Sequence, residues 1–321
     1  MGLLVDGIWR QDWYDTETSG GRFVRPPTRF RGRITADGSS GFPAEPGRYH
    51  LYVSYACPWA HRTLIFRALK GLADKVSVSV AEPLMGRDGW TLAEGADPVM
   101  GARFLYDVYR AADRTYTGRV TVPVLWDKQT GTIVSNESAD IIRMFNSAFD
   151  AAGAAPGDYY PEPLRAEIDA LNARIYDTVN NGVYRAGFAT RQEAYDEAVT
   201  ALFESLDWLE DRLSRQRYVA GDRLTEADWR LFTTLARFDA VYHGHFKCNL
   251  KRLVDYPSLW AFARELYQVP GVAATVRLDH IKAHYYGSHS TINPTGIVPK
   301  GPLVDFTQPH GRDMLFPVVS R

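Results

Sequence analysis

One stretch holds the residue types that could do covalent chemistry: Y-H-L-Y-V-S-Y-A-C-P-W-A-H-R-T-L-I-F-R-A-L-K, from Tyr49 to Lys70. Cys57 is its candidate nucleophile. A thiol reacts as the thiolate, so its surroundings decide its chemistry. Tyr49 to Tyr55 are aromatic and β-branched, the composition of a buried strand. After Pro58 the pattern changes, and Ala60, Leu64, Ile65, Ala68 and Leu69 recur on one helical face. Pro58 suits the first helical position, having no N–H to leave unpaired and a φ already helical. Cys57 then falls at the N-cap, where unpaired N–H groups and the helix dipole favour a negative sulfur. A thiol so placed can drop from about 8.5 into the range of roughly 3.5–7.5. An isolated cysteine is more often a small buried hydrophobe, but strand, Cys, Pro and helix in succession favour the reactive reading. Ala60 stands where a C-x-x-C partner would be, so a mixed disulfide at this site must be resolved by an external thiol.

Two further stretches bear on the same site. In T-V-P-V-L-W-D, Thr121 to Asp127, Pro123 interrupts a strand pattern and removes a ladder donor. A cis peptide after Val122 accounts for it; a plain edge-strand or bulge proline is the alternative. In S-N-E-S-A-D, Glu137 and Ser138 lie where a strand gives way to a helix. Free N–H groups and a hydroxyl there suit a ligand carboxylate, and the acidic side chain suits a ligand ammonium. The alternative is an ordinary N-cap with an acidic first turn.

These residues need elements to hold them, and the chain supplies two kinds. Strand Tyr49–Tyr55, the helix after Pro58 and strand Val76–Val80 come first, followed by a loop carrying Met85, Gly89 and Trp90 and running past Arg103 and Tyr106. Two short strands then flank the K-Q-T-G turn, Lys128 to Gly131, and a helix continues from Ser138 to Phe145. The order βαβ…ββα is that of a thioredoxin-like domain. Beyond the Gly/Pro-rich linker at 151–163, apolar periodicity predicts helices at 164–179, 191–215, 225–241 and 257–267, with a shorter one at 272–284. The third opens L-T-E-A-D-W, where Thr225 and Asp228 form a capping-box pair and Leu224 and Trp229 occupy staple positions. Residues 1–47 read as an irregular arm, 48–150 as the thioredoxin-like domain, 164–286 as a helical domain and 287–321 as an extended tail.

Composition bounds the function. At 321 residues, 45% hydrophobic and 23% charged, the chain has globular composition and can bury a real core. A net charge of -1 argues against nucleic acid held by bulk electrostatics. Two cysteines, Cys57 and Cys248, fit a reducing compartment better than a disulfide scaffold. No signal-peptide core, no membrane-spanning run and no internal repeat are visible, so a cytoplasmic protein is expected. His243, His245 and Cys248 (H-G-H-F-K-C) do not follow a zinc spacing and have no second half, so no metal is expected.

An N-terminal thioredoxin-like domain followed by an all-helical domain is the glutathione transferase architecture. C-P-W-A-H-R-T-L, T-V-P-V-L-W-D, I-V-S-N-E-S-A-D-I-I-R-M-F-N, D-T-V-N-N-G-V-Y-R-A-G-F-A-T, T-E-A-D-W-R-L and T-I-N-P-T-G-I narrow it further. Together they resemble the glutathionyl-hydroquinone reductases, the Xi class of glutathione transferases, from about Val5 to about Arg312. The resemblance implies that Cys57 is the nucleophile and that glutathione, as co-substrate, is held by Trp90, the backbone of Arg119, Val120, Thr121 and Val122, and Glu137 with Ser138. It implies that Tyr184 donates a proton and that Tyr242 and Tyr285 stabilise the Cys57 thiolate. It also implies glutathionylated quinols as substrates and a homodimer. A general thiol transferase or dehydroascorbate reductase would use the same Cys57 with another acceptor pocket. A non-catalytic binding protein would need no thiol at a helix cap.

Overall fold

The structure, a computed structural model, describes residues 2–316. These form two compact units, one of residues 2–13, 26–158 and 279–290, the other of 14–25, 159–278 and 291–316.

The first unit opens with β1 (Leu3–Val5) and β2 (Ile8–Arg10), which pair antiparallel inside the stretch expected to be irregular. Strands of three residues are too short to show a period. Then come β3 (Tyr49–Val53), α1 (Pro58–Leu69), β4 (Val76–Val80), α2 (Leu105–Ala112), β5 (Gly118–Arg119), β6 (Val124–Asp127), β7 (Thr132–Ser135) and α3 (Ser138–Ser147). The main sheet has the order β4-β3-β6-β7, with β3 parallel to β4 and antiparallel to β6; β2, β1 and β5 make a smaller sheet. All five residues of β3 are buried, which is why its sequence is mainly apolar and aromatic rather than alternating; its one polar side chain, His50, is paired to Ser77 (2.7 Å) and Ser79 (2.9 Å). α1 packs against α3.

Three details differ from the sequence expectation or sharpen it. β6 starts at Val124 rather than Thr121, because Pro123 has no N–H to give the ladder. The Val122–Pro123 peptide is cis, the form expected there. α2 and β5 lie where a continuous loop was expected. α2 buries only Leu105, Val108 and Tyr109, an i, i+3, i+4 set too small to register as a period.

The second unit is helical: α4 (Arg165–Ile175), α5 (Gly182–Gly187), α6 (Gln192–Arg215), α7 (Glu226–Arg237) and α8 (Pro257–Tyr267). Single π turns follow α4, at Tyr176–Asn180, and α7, at Phe238–Tyr242, in place of the uninterrupted helices expected. Such turns insert a residue into the helical ladder and recur at functional sites. The helix expected at 272–284 instead runs as α9 (Leu278–Ser288), after a 3-10 turn at Ala273–Thr275 whose Thr275 hydroxyl donates back to the Val272 carbonyl at 2.6 Å. All of α9 beyond Leu278 belongs to the first unit.

Asp228 organises the start of α7. Its buried carboxylate accepts from the backbone of Val219 (2.7 Å) and Thr225 (2.8 Å) and from the Thr225 hydroxyl (3.0 Å). The expected capping box is thereby complete. Asp228→Ala strands three buried donors at once. It should cost about 3 kcal/mol or more, read as a lower denaturation midpoint with an unchanged slope. Burial also pushes this carboxyl up to about 6 despite its three donors. The folded chain therefore holds the Asp228 proton more tightly than the unfolded chain, so this group's contribution falls as pH rises from about 4 to about 6. Asp228→Asn should flatten that fall.

The tail is anchored at α10 (Arg312–Leu315). The buried Arg312 guanidinium donates to Glu265 (2.8 Å) and to the carbonyls of Leu213 (3.3 Å), Gln216 (3.2 Å) and Arg217 (2.5 Å). A cation at the C-terminal end of α6, on the Leu213 carbonyl and the two carbonyls just past the helix, satisfies groups the helix itself cannot pair. Among the described residues, no helix is long and apolar enough to cross a membrane.

Candidate active site

Cys57 sits at the N-cap of α1, extended (φ -79, ψ 121), with Pro58 beginning the helix. Its N–H donates to the Ser54 carbonyl (3.1 Å) and its carbonyl accepts from His61 (3.0 Å), so the backbone around the sulfur is fixed on both sides. The side chain is partly exposed, and Sγ donates to the Val122 carbonyl at 3.5 Å. The residue before the cis proline thus stands against the thiol. Cys248 is the contrast: it is fully buried, and burial pushes its thiol well up, away from thiolate.

The Arg119–Val122 segment is held from behind. Tyr109, whose phenol burial pushes up and so keeps neutral, donates to the Thr121 carbonyl at 2.8 Å and accepts from the Thr121 N–H at 3.3 Å. The Tyr116 hydroxyl donates to the Arg119 carbonyl at 3.2 Å. The Arg119 guanidinium donates to the carbonyls of Asp12 (2.5 Å) and Trp13 (2.6 Å), and Val120 and Val122 are buried.

Glu137 and Ser138 begin α3 as expected. Glu137 does cap the helix, accepting from the Ala139 N–H at 3.2 Å, and its other oxygen accepts from the Thr28 hydroxyl at 3.3 Å. The ordinary cap is therefore present in the structure. Arg62 is a residue that the sequence reading passed over. It lies on α1 with its guanidinium buried over the Trp59 ring (4.5 Å) and donates to the Ser138 hydroxyl at 3.5 Å, tying the starts of α1 and α3 together. No spacing in the sequence marks that link.

Trp90 is buried, its carbonyl accepting from Leu105 at 2.9 Å and its indole stacked on His284 at 4.7 Å and 19°. Tyr285, next in sequence, is buried in this same unit. The sequence pattern places it in the helical domain, 164–286. The packing of α9 on the Trp90 loop is the physical reason for the difference.

Tyr184 and Tyr242 are brought together in the helical unit, with ring centroids 6.1 Å apart. Tyr184 follows the first π turn and Tyr242 closes the second. Phe246 joins both, 5.5 Å from Tyr184 and 5.6 Å from Tyr242, with Phe188 at 6.0 Å from Tyr184. Gly187 permits this packing, since a Cβ there would lie 2.1 Å from the Phe246 ring. From the arm, Phe23 stacks on Tyr184 at 6.3 Å, and the Arg25 guanidinium lies 5.2 Å from the Tyr184 centroid. The second of these is a cation–π contact. Among the described residues, no group of three or more His, Cys, Asp or Glu side chains is placed to hold a metal ion.

Residues 56–148 match the glutathione S-transferase N-terminal domain and 192–265 the glutathione S-transferase C-terminal domain. The chain is 60% identical over 306 residues to the glutathionyl-hydroquinone reductase PcpF of Sphingobium chlorophenolicum, covering 94% of this chain and 96% of that protein. It is 59% identical over 327 residues to the glutathionyl-hydroquinone reductase YqjG of Escherichia coli K12, covering 98% and 100%. The glutathione-bound structure of YqjG superimposes with a TM-score of 0.91 at 56% identity, covering 98% of this chain and 100% of that one. A Xi-class transferase from Natrialba magadii does so with a TM-score of 0.91 at 50% identity, covering 98% and 97%. With that identity along nearly its whole length and a thiol at the N-cap of α1, the chain belongs to the glutathionyl-hydroquinone reductases, the Xi class of the glutathione transferase family.

Proposed function

We propose that this enzyme reduces S-glutathionyl-hydroquinones to hydroquinones with glutathione as reductant, releasing oxidised glutathione, through a mixed disulfide on Cys57. The observation that carries the proposal is the partly exposed Cys57 sulfur at the N-cap of α1, 3.5 Å from the Val122 carbonyl. The helix terminus favours the thiolate, and Ala60 leaves no cysteine at the C-x-x-C distance to resolve a disulfide. The activity is the one that names PcpF and YqjG.

The chemistry constrains the order of steps. Attack on the thioether sulfur must expel carbon, and an aryl carbanion is a hopeless leaving group. If the ring first tautomerises to its ketone, the carbon leaves with the carbon–sulfur bonding pair as an enolate. Cys57 and the glutathione sulfur form the new S–S bond, and a proton returns the ring to the hydroquinone. A second glutathione thiolate then attacks the mixed disulfide, giving oxidised glutathione and restoring the Cys57 thiolate.

In this reading Trp90, the backbone of Arg119 to Val122, Glu137 and Ser138 hold glutathione. Tyr184 moves the proton, and Tyr242 and Tyr285 steady the Cys57 thiolate. The protein works as a cytoplasmic homodimer without a metal. Its sparing use of cysteine, at Cys57 and Cys248 alone, supports a reducing compartment.

Incubation with glutathione and a glutathionyl-hydroquinone should release free hydroquinone and one oxidised glutathione per turnover. Omitting the second glutathione should trap one glutathionyl group on Cys57, visible as an adduct mass. Turnover of small mixed disulfides without release of hydroquinone would instead identify a general thiol transferase.

A further inference from the structure

The loop carrying Trp90 is docked at several points on the last turns of α9. His284 Nδ1 lies 2.9 Å from the Pro83 carbonyl. The Ser288 hydroxyl accepts from the Met85 N–H at 2.9 Å. Gly287 lets the two backbones approach, since a Cβ there would meet Leu84 at 2.6 Å. The His284 ring lies face to face with the Trp90 indole, with centroids 4.7 Å apart and planes at 19°. His289 packs edge-on to both His284 and Tyr285, at 5.5 Å from each. His284 is itself buried, and nothing in the reaction above uses it.

We propose that His284 is a positioning residue for glutathione: it holds the Trp90 indole in place and couples it to α9, which carries Tyr285 at the next position. An indole on a loop has two side-chain torsions to order, and a flat partner fixed by a hydrogen bond to the same loop removes that freedom before glutathione arrives. Contacts that glutathione makes through Trp90 are the same before and during the chemical step. Loosening them raises KM for the glutathionyl-hydroquinone, whose glutathionyl group must lie beside Cys57, and leaves kcat largely intact.

The inference rests on Trp90 touching glutathione, and the test separates the two. Trp90→Ala and His284→Ala are each expected to raise KM for the glutathionyl-hydroquinone by about three- to tenfold, the range an aromatic stack supplies, with kcat within about twofold of wild type. The double variant should be no worse than the poorer single one, because both act through one contact. His284→Phe keeps the flat ring but not the bond to the Pro83 carbonyl, so it should recover part of the KM loss, whereas His284→Gln should recover none. An unchanged KM in Trp90→Ala overturns the glutathione role of Trp90 and with it the inference. A raised KM in Trp90→Ala with an unchanged KM in His284→Ala overturns the inference alone. Should His284→Ala fail to fold, the Phe and Gln variants decide: recovery by Gln and not by Phe overturns the stacking role.

Discussion

Cys57→Ser should abolish hydroquinone release, with a loss of roughly 10³-fold or more, the scale on which removal of a covalent nucleophile acts. The fold should be untouched. Serine differs from cysteine by one atom, and the Cys57 side chain is partly exposed, so no cavity opens in the core. A hydroxyl at a helix N-cap is if anything a better cap. The loss has to be chemical, since a hydroxyl does not ionise near neutral pH and cannot form the mixed disulfide. Cys248→Ser is the control: Cys248 is buried and its thiol is held in the neutral form, so activity should persist even where stability falls. The measurements are hydroquinone release, adduct mass and the thermal midpoint, taken on both variants. Full activity in Cys57→Ser, or an adduct on Cys248, would sink the mechanism.

Tyr184→Phe separates a quinol reductase from a generic thiol transferase. Cleaving the carbon–sulfur bond needs a proton moved on the ring, whereas disulfide exchange has a thiolate leaving group and needs little acid help. Loss of the phenol should therefore slow reduction of glutathionyl-hydroquinones by roughly 10²–10⁴-fold, the usual worth of a positioned acid–base group. Turnover of a small glutathione mixed disulfide should fall far less. Phenylalanine keeps the ring that Phe23, Phe188, Tyr242, Phe246 and Arg25 pack against, so only the hydroxyl is tested. The comparison is internal: misfolding or poor glutathione binding would depress both reactions together. Equal losses on both substrates would make Tyr184 a pocket wall and send the proton elsewhere.

What the chain discloses by itself follows the range over which each signal acts. Strand, Cys57, Pro58 and helix lie within a few positions of one another, so the N-cap thiol could be read directly, as could the cap pair Thr225 and Asp228. The long helices α6 and α8 carry enough turns for their apolar period to stand out, and their observed bounds differ from the expected ones by at most one residue. The eight-residue α2 and the strands β1, β2 and β5 do not, and they were missed. The π turns at Tyr176–Asn180 and Phe238–Tyr242 escape for another reason: each is a single turn at the end of a helix, with too few residues beyond it to show a change of period.

Resemblance to a family, and no local rule, singled out Tyr184, Tyr242 and Tyr285 among 18 tyrosines, because tyrosine is mostly amphipathic packing. Only the tertiary structure decided which unit each long-range partner joins. Residues 14–25 of the arm pack with the helices, so that Phe23 and Arg25 meet Tyr184, while 279–290 return to the sheet, so that His284 meets Trp90. Those contacts join residues far apart along the chain. They are set by shape and burial once the core has closed, and neither periodicity nor spacing can carry them.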